Sequence, residues 1–512
     1  MKRLVSVLLL LTLAFSMCAC DMSMLQNILE NLPLETTENQ QTTPEETTLE
    51  ATTPENTTPE DTTPENTTPE DTTPEDTTPE DDGKIHITFY HTMGESGRAV
   101  LDKYIVEFQK LYPDIVVEHK QVGSYDDVRD QIQTEITVGD QPNIAYCYPD
   151  HVALYNIALA VQTLDEYIAS TEVITRADGT TEVLGLTQQQ IDNFIDGYYE
   201  EGRVYGDGKM YTLPMSKSTE VLYYNKDVFE NEANKALGLK VPTTWDELEE
   251  ACRILKKIDP NCIPLGYDSE ANWFITMCEQ YNSPYTSATG EHFLFDNETN
   301  RSFVARFRDW YKKGYVTTQD IYGAYTSELF KGKDGVQSYM CIGSSAGANH
   351  QIPKNDDGTF KFEVGITTVP QVDANNRKVI SQGPSLCIFK KNNPEEVKAS
   401  WLFVKFLTTN LNFQAEFGMT SGYIPVLENV TDNAVYAAEL EAADGYEGLP
   451  LLATKVALEQ ADAYYTSPAF NGSSAARDQV GALLQKCLSK EVDIAEEFQK
   501  AVKECKHQIG QN

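Results

Sequence analysis

A net charge of −39 over 512 residues, with 79 acidic side chains against 40 basic ones, argues against a nucleic-acid groove. The length exceeds what one ordinary core accommodates and predicts at least two lobes. The eight cysteines from Cys147 to Cys505 show no C-x-x-C spacing and no neighbouring histidine cluster, so zinc is unsupported; disulfides or buried thiols both remain open.

The first residues read as an export signal. Met1-Lys2-Arg3 precedes the apolar run LVSVLLLLTLAF, and small residues follow. The run is shorter than the ~20 apolar residues of a membrane span. Met17-Cys18-Ala19-Cys20 resembles a bacterial lipobox. That resemblance implies residues 1–19 as a cleaved signal peptide and a diacylglycerol on the Cys20 sulfur, with Cys18 as the rival position. Such chains anchor a protein at ~0.8 kcal/mol per buried CH₂. The location implied is the outer face of a cytoplasmic membrane, of Gram-positive type. An ordinary signal peptide with incidental cysteines is the alternative.

Residues 20–83 then read as a lipidated N-terminus and a tether. Six consecutive pentads of TTPE followed by Asn or Asp fill Thr52 to Asp81, and sixteen carboxylates but no Lys or Arg lie between Glu35 and Asp82. Proline every five residues blocks helix, and a segment this polar cannot bury enough apolar surface to offset its ordering entropy. Fully extended it would span on the order of 150 Å, and as a coil about 40 Å.

The body begins with alternating strand and helix patterns. KIHITFY predicts a strand, and Leu101, Tyr104, Ile105, Phe108 and Leu111 form a helical stripe stopped by Pro113. DIVVEH is a second strand, Val128, Ile132 and Ile136 a second stripe, and PNIAYCY a third strand. This order predicts a parallel sheet, with ligands beyond the carboxyl ends of the strands, at His91 to Glu95 and Tyr148 to His151. Further on, VPTTWDELEEACRILKKI opens with Pro242 and a capping box from Thr244 to Glu247. Asn393 and Pro394 start another helix, and the tail from about Leu451 reads as two or more helices.

Five stretches in order carry a resemblance: GDQPNIAY, LPMSKSTEVLYYNKDVFE, VPTTWDELEEA, VGITTVPQ with GPSLCIFKKNNPEEVKASWLFVKFL, and SGYIPV. The series resembles the extracellular solute-binding proteins of ABC importers, of the sugar-binding type that includes maltose-binding protein. The resemblance implies an α/β fold of the two-lobed periplasmic-binding-protein-like kind (type II), with a hinge and an interlobe ligand cleft. By analogy residues 84–212 with 369–415 make lobe 1, and 213–368 with 416–512 make lobe 2. Crossings are expected near Thr212 to Thr219, Val364 to Pro370 and Thr408 to Phe417. The implied role is reversible capture of a carbohydrate, an oligosaccharide first, by a monomer that is not an enzyme and has no cofactor or metal. Implied partners are the small polar solute, the permease and ATPase subunits of an ABC importer, and the membrane through the N-terminal lipid.

A sugar wants an aromatic plate and a ring of polar groups. Asp150 is a candidate acceptor for vicinal hydroxyls, and equally a candidate helix N-cap. His91, Glu95, Tyr148 and His151 are its neighbours in sequence; Glu95 also suits a first helical turn. Trp273 is the stacking candidate, against a core role beside Phe274 and Met277, and Tyr423 follows it. Gly383 and Ser385 precede a strand near a crossing and offer backbone amides. GSSAG, Gly343 to Gly347, matches a nucleophile elbow, which would make Ser345 a serine esterase nucleophile with a late histidine such as His507. ANHQIPKNDDG after it does not read as a helix, which favours a small-residue loop in which Ser344 and Ser345 donate to the ligand. A wall-associated adhesion lipoprotein is the third reading.

Overall fold

A computed structural model of the chain describes residues 82–511. The expected signal peptide, the expected lipidation at Cys20 and most of the expected tether lie outside the described residues.

The alternating strands and helices build two sheets. β1 (Ile85–His91), β2 (Ile115–Gln121) and β3 (Ile144–Cys147) are parallel, with β1 central among them. The helix Glu95–Leu111 between the first two buries Leu101, Tyr104, Ile105 and Phe108, the stripe expected from spacing. The helix Tyr125–Ile136 is started by a capping box of Ser124 and Asp127. A small hairpin of β4 (Val173–Thr175) and β5 (Thr181–Val183) follows, and then β6 (Thr212–Pro214).

The chain next enters the second sheet with β7 (Ser218–Asn225), β8 (Leu265–Tyr267), β9 (Val316–Thr318), β10 (Met340–Ser344), β11 (Val364–Thr367) and β12 (Val379–Gln382). It returns with β13 (Ser385–Ile388), antiparallel to both β3 and β6. β14 (Tyr464–Tyr465) joins the second sheet beside β12. The orders are β2-β1-β3-β13-β6 and β14-β12-β7-β10-β8-β9, with β11 also on β7. Each sheet has its own core: Phe89, Phe108, Phe403 and Trp401 in the first, Trp245, Trp273, Phe307 and Trp310 in the second.

Sheet membership moves two of the expected crossings. The first lies at Met215 to Lys217, within the expected segment. The return falls at Gly383 and Pro384, because β12 pairs with β7 through Ser381 and Thr219 and so still belongs to the second sheet. The third lies beyond Leu427, because Phe413, Phe417, Ile424 and Leu427 bury themselves in the first core. Only the helix Leu449–Leu458 joins the β7 side again, with Leu449 and Ala453 packed beside Val221 and Tyr223.

The crossing segments are tied together. Met215 N and Ser216 N donate to Pro384 O at 3.2 and 3.3 Å, and Lys217 exchanges backbone bonds with Ile424. Gly383 has φ +92, and a Cβ there would lie 2.5 Å from Ser216 O, so glycine is required where the two strands of the hinge touch.

One helix start differs from expectation. Thr244 caps the helix Trp245–Ile258 by accepting from Glu247 N. The reciprocal bond goes one residue back, since Glu247 accepts from Thr243 N at 2.9 Å.

Candidate functional site

A cavity of about 80 Å³ lies where the two sheets' elements meet. Tyr148, Pro149 and Asp150 approach it from the carboxyl end of β3, and Glu201 from the same lobe. Ile275, Tyr285, Ser473 and Arg477 approach from the second lobe, with Ile380 to Gln382 of β12 at the hinge. A larger apolar cavity of about 460 Å³ adjoins it at Ser381 and Thr466, lined by Tyr198, Leu427 and Tyr464 among others. Unpartnered polar groups gather around the smaller one. Asp150 Oδ2, Tyr285 Oη and Thr286 Oγ1 are buried there without a hydrogen-bond partner among the described residues. Buried polar atoms left open in this way call for a ligand or water.

Asp150 is not the helix cap: the N-cap of the helix Pro149–Tyr155 is Tyr148, with Pro149 in the first turn. Asp150 sits in that first turn, where the helix field favours its charge. Opposite it, Arg477 projects from the helix Ser473–Ser489 and donates to Asn272 Oδ1. Burial works against the Arg477 charge, but Asp150 together with Tyr285, Tyr148 and Tyr465 holds the guanidinium above its ordinary pKa. Arg477 forms no ion pair with a carboxylate among the described residues, so an acceptor and a donor fork face one cavity from opposite lobes.

Below the cavity is a buried brace. Lys217 and Glu201 are an ion pair, fully and almost fully buried, and Ser385 Oγ donates to Glu201 Oε1 at 3.2 Å. Lys217 also donates to Gly383 O at 3.3 Å. Lys217 and Ser385 thus hold the crossing segments, and only Glu201 of this trio lines the cavity.

Of the residues singled out from sequence, Tyr148 and Asp150 line this cavity, and Ser385 and Gly383 lie in the brace behind it. The others go elsewhere. Trp273 is fully buried, 4.0 Å from the Phe307 ring and 5.0 Å from that of Tyr267, so it belongs to the second core. Its helix is buried almost all round, which a one-sided reading of the sequence misses. His91 is buried at the end of β1, bonded to His119 at 2.7 Å, while Met93 N donates to its Nδ1. Glu95 is exposed in a first helical turn. His151 is buried beneath Tyr148, 5.5 Å between ring centroids. Tyr423 packs on Phe417 and its hydroxyl meets that of Tyr125 at 3.2 Å.

Ser345 is buried, and its Oγ accepts from Thr219 N at 3.2 Å; no histidine bonds to it among the described residues. Ser344 Oγ accepts from Ala346 N. Residues Ser345–Gln351 form a 3-10 helix, where a loop was expected, since the Ser344 cap turns the chain into it directly from β10. A hydroxyl sealed in this way presents no nucleophile to solvent.

Arg477, Tyr285, Thr286 and Glu201 escaped the sequence reading. The one available signal was an arginine directly after four small residues at a helix start, SSAAR.

A family model described as a bacterial extracellular solute-binding protein matches residues 103–443. The sn-glycerol-3-phosphate-binding periplasmic protein UgpB of Escherichia coli K12 is 25% identical over 366 residues, covering 68% of this chain and 75% of that protein. Solved structures share the fold, among them the following two. The ABC substrate-binding protein Lmo0181 of Listeria monocytogenes, in complex with cycloalternan, has TM-score 0.65 and 18% identity over 84% of this chain and 100% of its own. UgpB of Mycobacterium tuberculosis, in complex with glycerophosphocholine, has TM-score 0.64 and 18% identity over 84% and 98%.

Proposed function

The chain belongs to the bacterial extracellular solute-binding proteins, and we propose that it captures a carbohydrate reversibly between its lobes and delivers it to the permease of an ABC importer. The observation that carries this reading is Asp150 and Arg477 on opposite walls of one cavity, one from each lobe. A hydroxylated solute accepted by both walls gains bonds only when the lobes are together, which is the differential affinity that drives closure. Tyr148 and Tyr285 supply ring surface, and the open hydroxyls of Tyr285 and Thr286 supply edge contacts. No bond of the solute is made or broken. The lipid at Cys20 and the acidic tether complete the reading as a leash that keeps the body close to its permease.

Arg477 favours a second reading, a glycerol phosphate ester held by the guanidinium. It is a half-buried cation that forms no ion pair among the described residues, and two of the similar proteins are named for or bound to such compounds.

A thermal-shift and calorimetry panel of maltotriose, cycloalternan, sn-glycerol-3-phosphate and glycerophosphocholine tests both. For a neutral sugar, Asp150→Ala and Arg477→Ala each weaken binding about 10- to 100-fold, at about 1.5–3 kcal/mol per charge-assisted bond. For a phosphate ester, Arg477→Ala abolishes binding while Asp150→Ala leaves or strengthens it. Binding that ignores both substitutions rejects the cleft.

A further inference from the structure

We infer that Glu220 and Asn272 are positioning residues for the cleft: the Glu220 carboxylate, through the Asn272 amide, sets the direction in which Arg477 presents its guanidinium. The inference rests on the cleft reading above only for its functional meaning, since the geometry stands alone.

Glu220 is buried at β7, where the second lobe begins. Both of its oxygens are committed. Tyr267 Oη donates to Oε2 at 2.5 Å, and Asn272 Nδ2 donates to Oε1 at 2.9 Å. An amide whose NH₂ is held by a carboxylate must turn its carbonyl the other way. That carbonyl oxygen, Asn272 Oδ1, accepts from Arg477 Nη2. The result is a directed chain from carboxylate to amide to guanidinium, ending at the cavity wall. No water or bound solute is needed to complete it.

The groups around Glu220 come from four elements. Tyr267 and Asp268 lie at the end of β8, Asn272 on the helix Glu270–Gln280, and Arg477 on the helix Ser473–Ser489. Tyr465 of β14 also faces it, and Gln460 Nε2 binds its backbone oxygen at 2.6 Å. Burial pushes the Glu220 carboxyl up to about 7, against the pull of Tyr267, Asn272 and Arg477 and with a further push from Asp268. The carboxyl therefore changes charge near neutrality. A proton added to a site that already faces two donors displaces one of them, and the arginine at the end of the chain feels the change.

The test observes Arg477 in the full-length protein, through the ¹⁵N and ¹³Cζ signals of its guanidinium, assigned by loss in Arg477→Lys. In the wild type the two Nη groups are expected to give separate signals at pH 8, because one is bound to Asn272. Their shifts should move with a midpoint near pH 7. In Asn272→Leu the Nη signals should merge, as rotation about Cζ–N is freed. In Glu220→Gln the movement near pH 7 should vanish. Separate, unaltered Nη signals in Asn272→Leu overturn the inference, and so does a persisting midpoint near pH 7 in Glu220→Gln. The readout needs no bound solute. An Arg477 that behaves as expected in a protein that binds none of the panel compounds upholds the positioning and sinks the carbohydrate reading.

Discussion

Arg129 and Asp478 belong to different lobes and meet, Nη1 to Oδ2, at 3.5 Å. The same Nη1 donates to Ser474 Oγ at 3.1 Å, on the helix that carries Arg477. Arg129 also holds Asp126 and Asp130 on its own helix. One cation thus separates carboxylates of the two lobes beside the cavity. Removing it leaves Asp126 facing Asp478 with Arg477 as the remaining cation beside them. Arg129→Ala is expected to weaken solute binding about five-fold, near 1 kcal/mol, mostly by faster release. Small-angle scattering should show a more open average shape at low salt, approaching the wild type as salt screens the carboxylates. An unchanged affinity and scattering curve would refute this.

Tyr285 carries a buried hydroxyl without a partner among the described residues, at the cavity wall. An unsatisfied buried hydroxyl costs about 1–3 kcal/mol. Tyr285→Phe should therefore raise the melting temperature of the solute-free protein while reducing affinity for the solute. Calorimetry on both forms reads the two opposite signs, and a variant less stable when empty contradicts the geometry.

The Lys217–Glu201 pair tests the hinge brace. Both side chains are almost completely removed from solvent, at 0% and 3% exposure. Lys217→Met strands a buried carboxylate and should cost about 3–5 kcal/mol in urea unfolding, whereas Lys217→Met with Glu201→Gln should recover much of it. Equal losses in the single and double variants would mean that the charges are not coupled.

Stability should depend on pH through two buried groups of opposite sign. Glu220 is raised by burial from 4.5 to about 7, so the folded state holds its proton longer than the unfolded chain. Its contribution falls as pH rises from about 4.5 to 7, by about 3 kcal/mol, and stays flat above. His91 is lowered from 6.5 to about 3, first by burial and then by His119 and Arg98, so its contribution is lost as pH falls through that range. Unfolding titrations of wild type and Glu220→Gln at pH 5 and pH 8 should show the variant gaining on the wild type at the higher pH. A constant difference would remove Glu220 from the account.

The body's cysteines are expected to be silent. All eight from Cys147 to Cys505 are free and buried, and neither Cys252 with Cys262 nor Cys487 with Cys505 forms a disulfide. A thiol reagent applied to native protein should label none of the eight within minutes, and all eight in guanidinium. Rapid labelling of any one in the folded protein would place it at the surface.

The strands and helices near the start were legible because their apolar periods match their burial: β1 alternates, and Leu101, Tyr104, Ile105 and Phe108 share one helical face. Asp150 was legible because it follows a strand end, where α/β sheets leave polar groups uncovered. Trp273 stayed open between stacking and a core role because an aromatic residue on a helical stripe looks the same whether it faces a cleft or a neighbouring helix. Here Phe307 and Trp310 cover it. Arg477 was missed because it lies more than three hundred residues from Asp150, on a segment with no pattern of its own.

By itself the sequence determined what depends on neighbours along the chain: the helical stripes and caps, and the order of motifs that marks the solute-binding family. Tertiary structure alone decided where the chain crosses between sheets, which aromatic residues are core, and that Asp150 and Arg477 share a cavity. The physical reason is range. Periodicity and capping are set within a few residues, whereas a cleft is made by side chains whose burial and charge depend on partners that only the folded chain brings within reach.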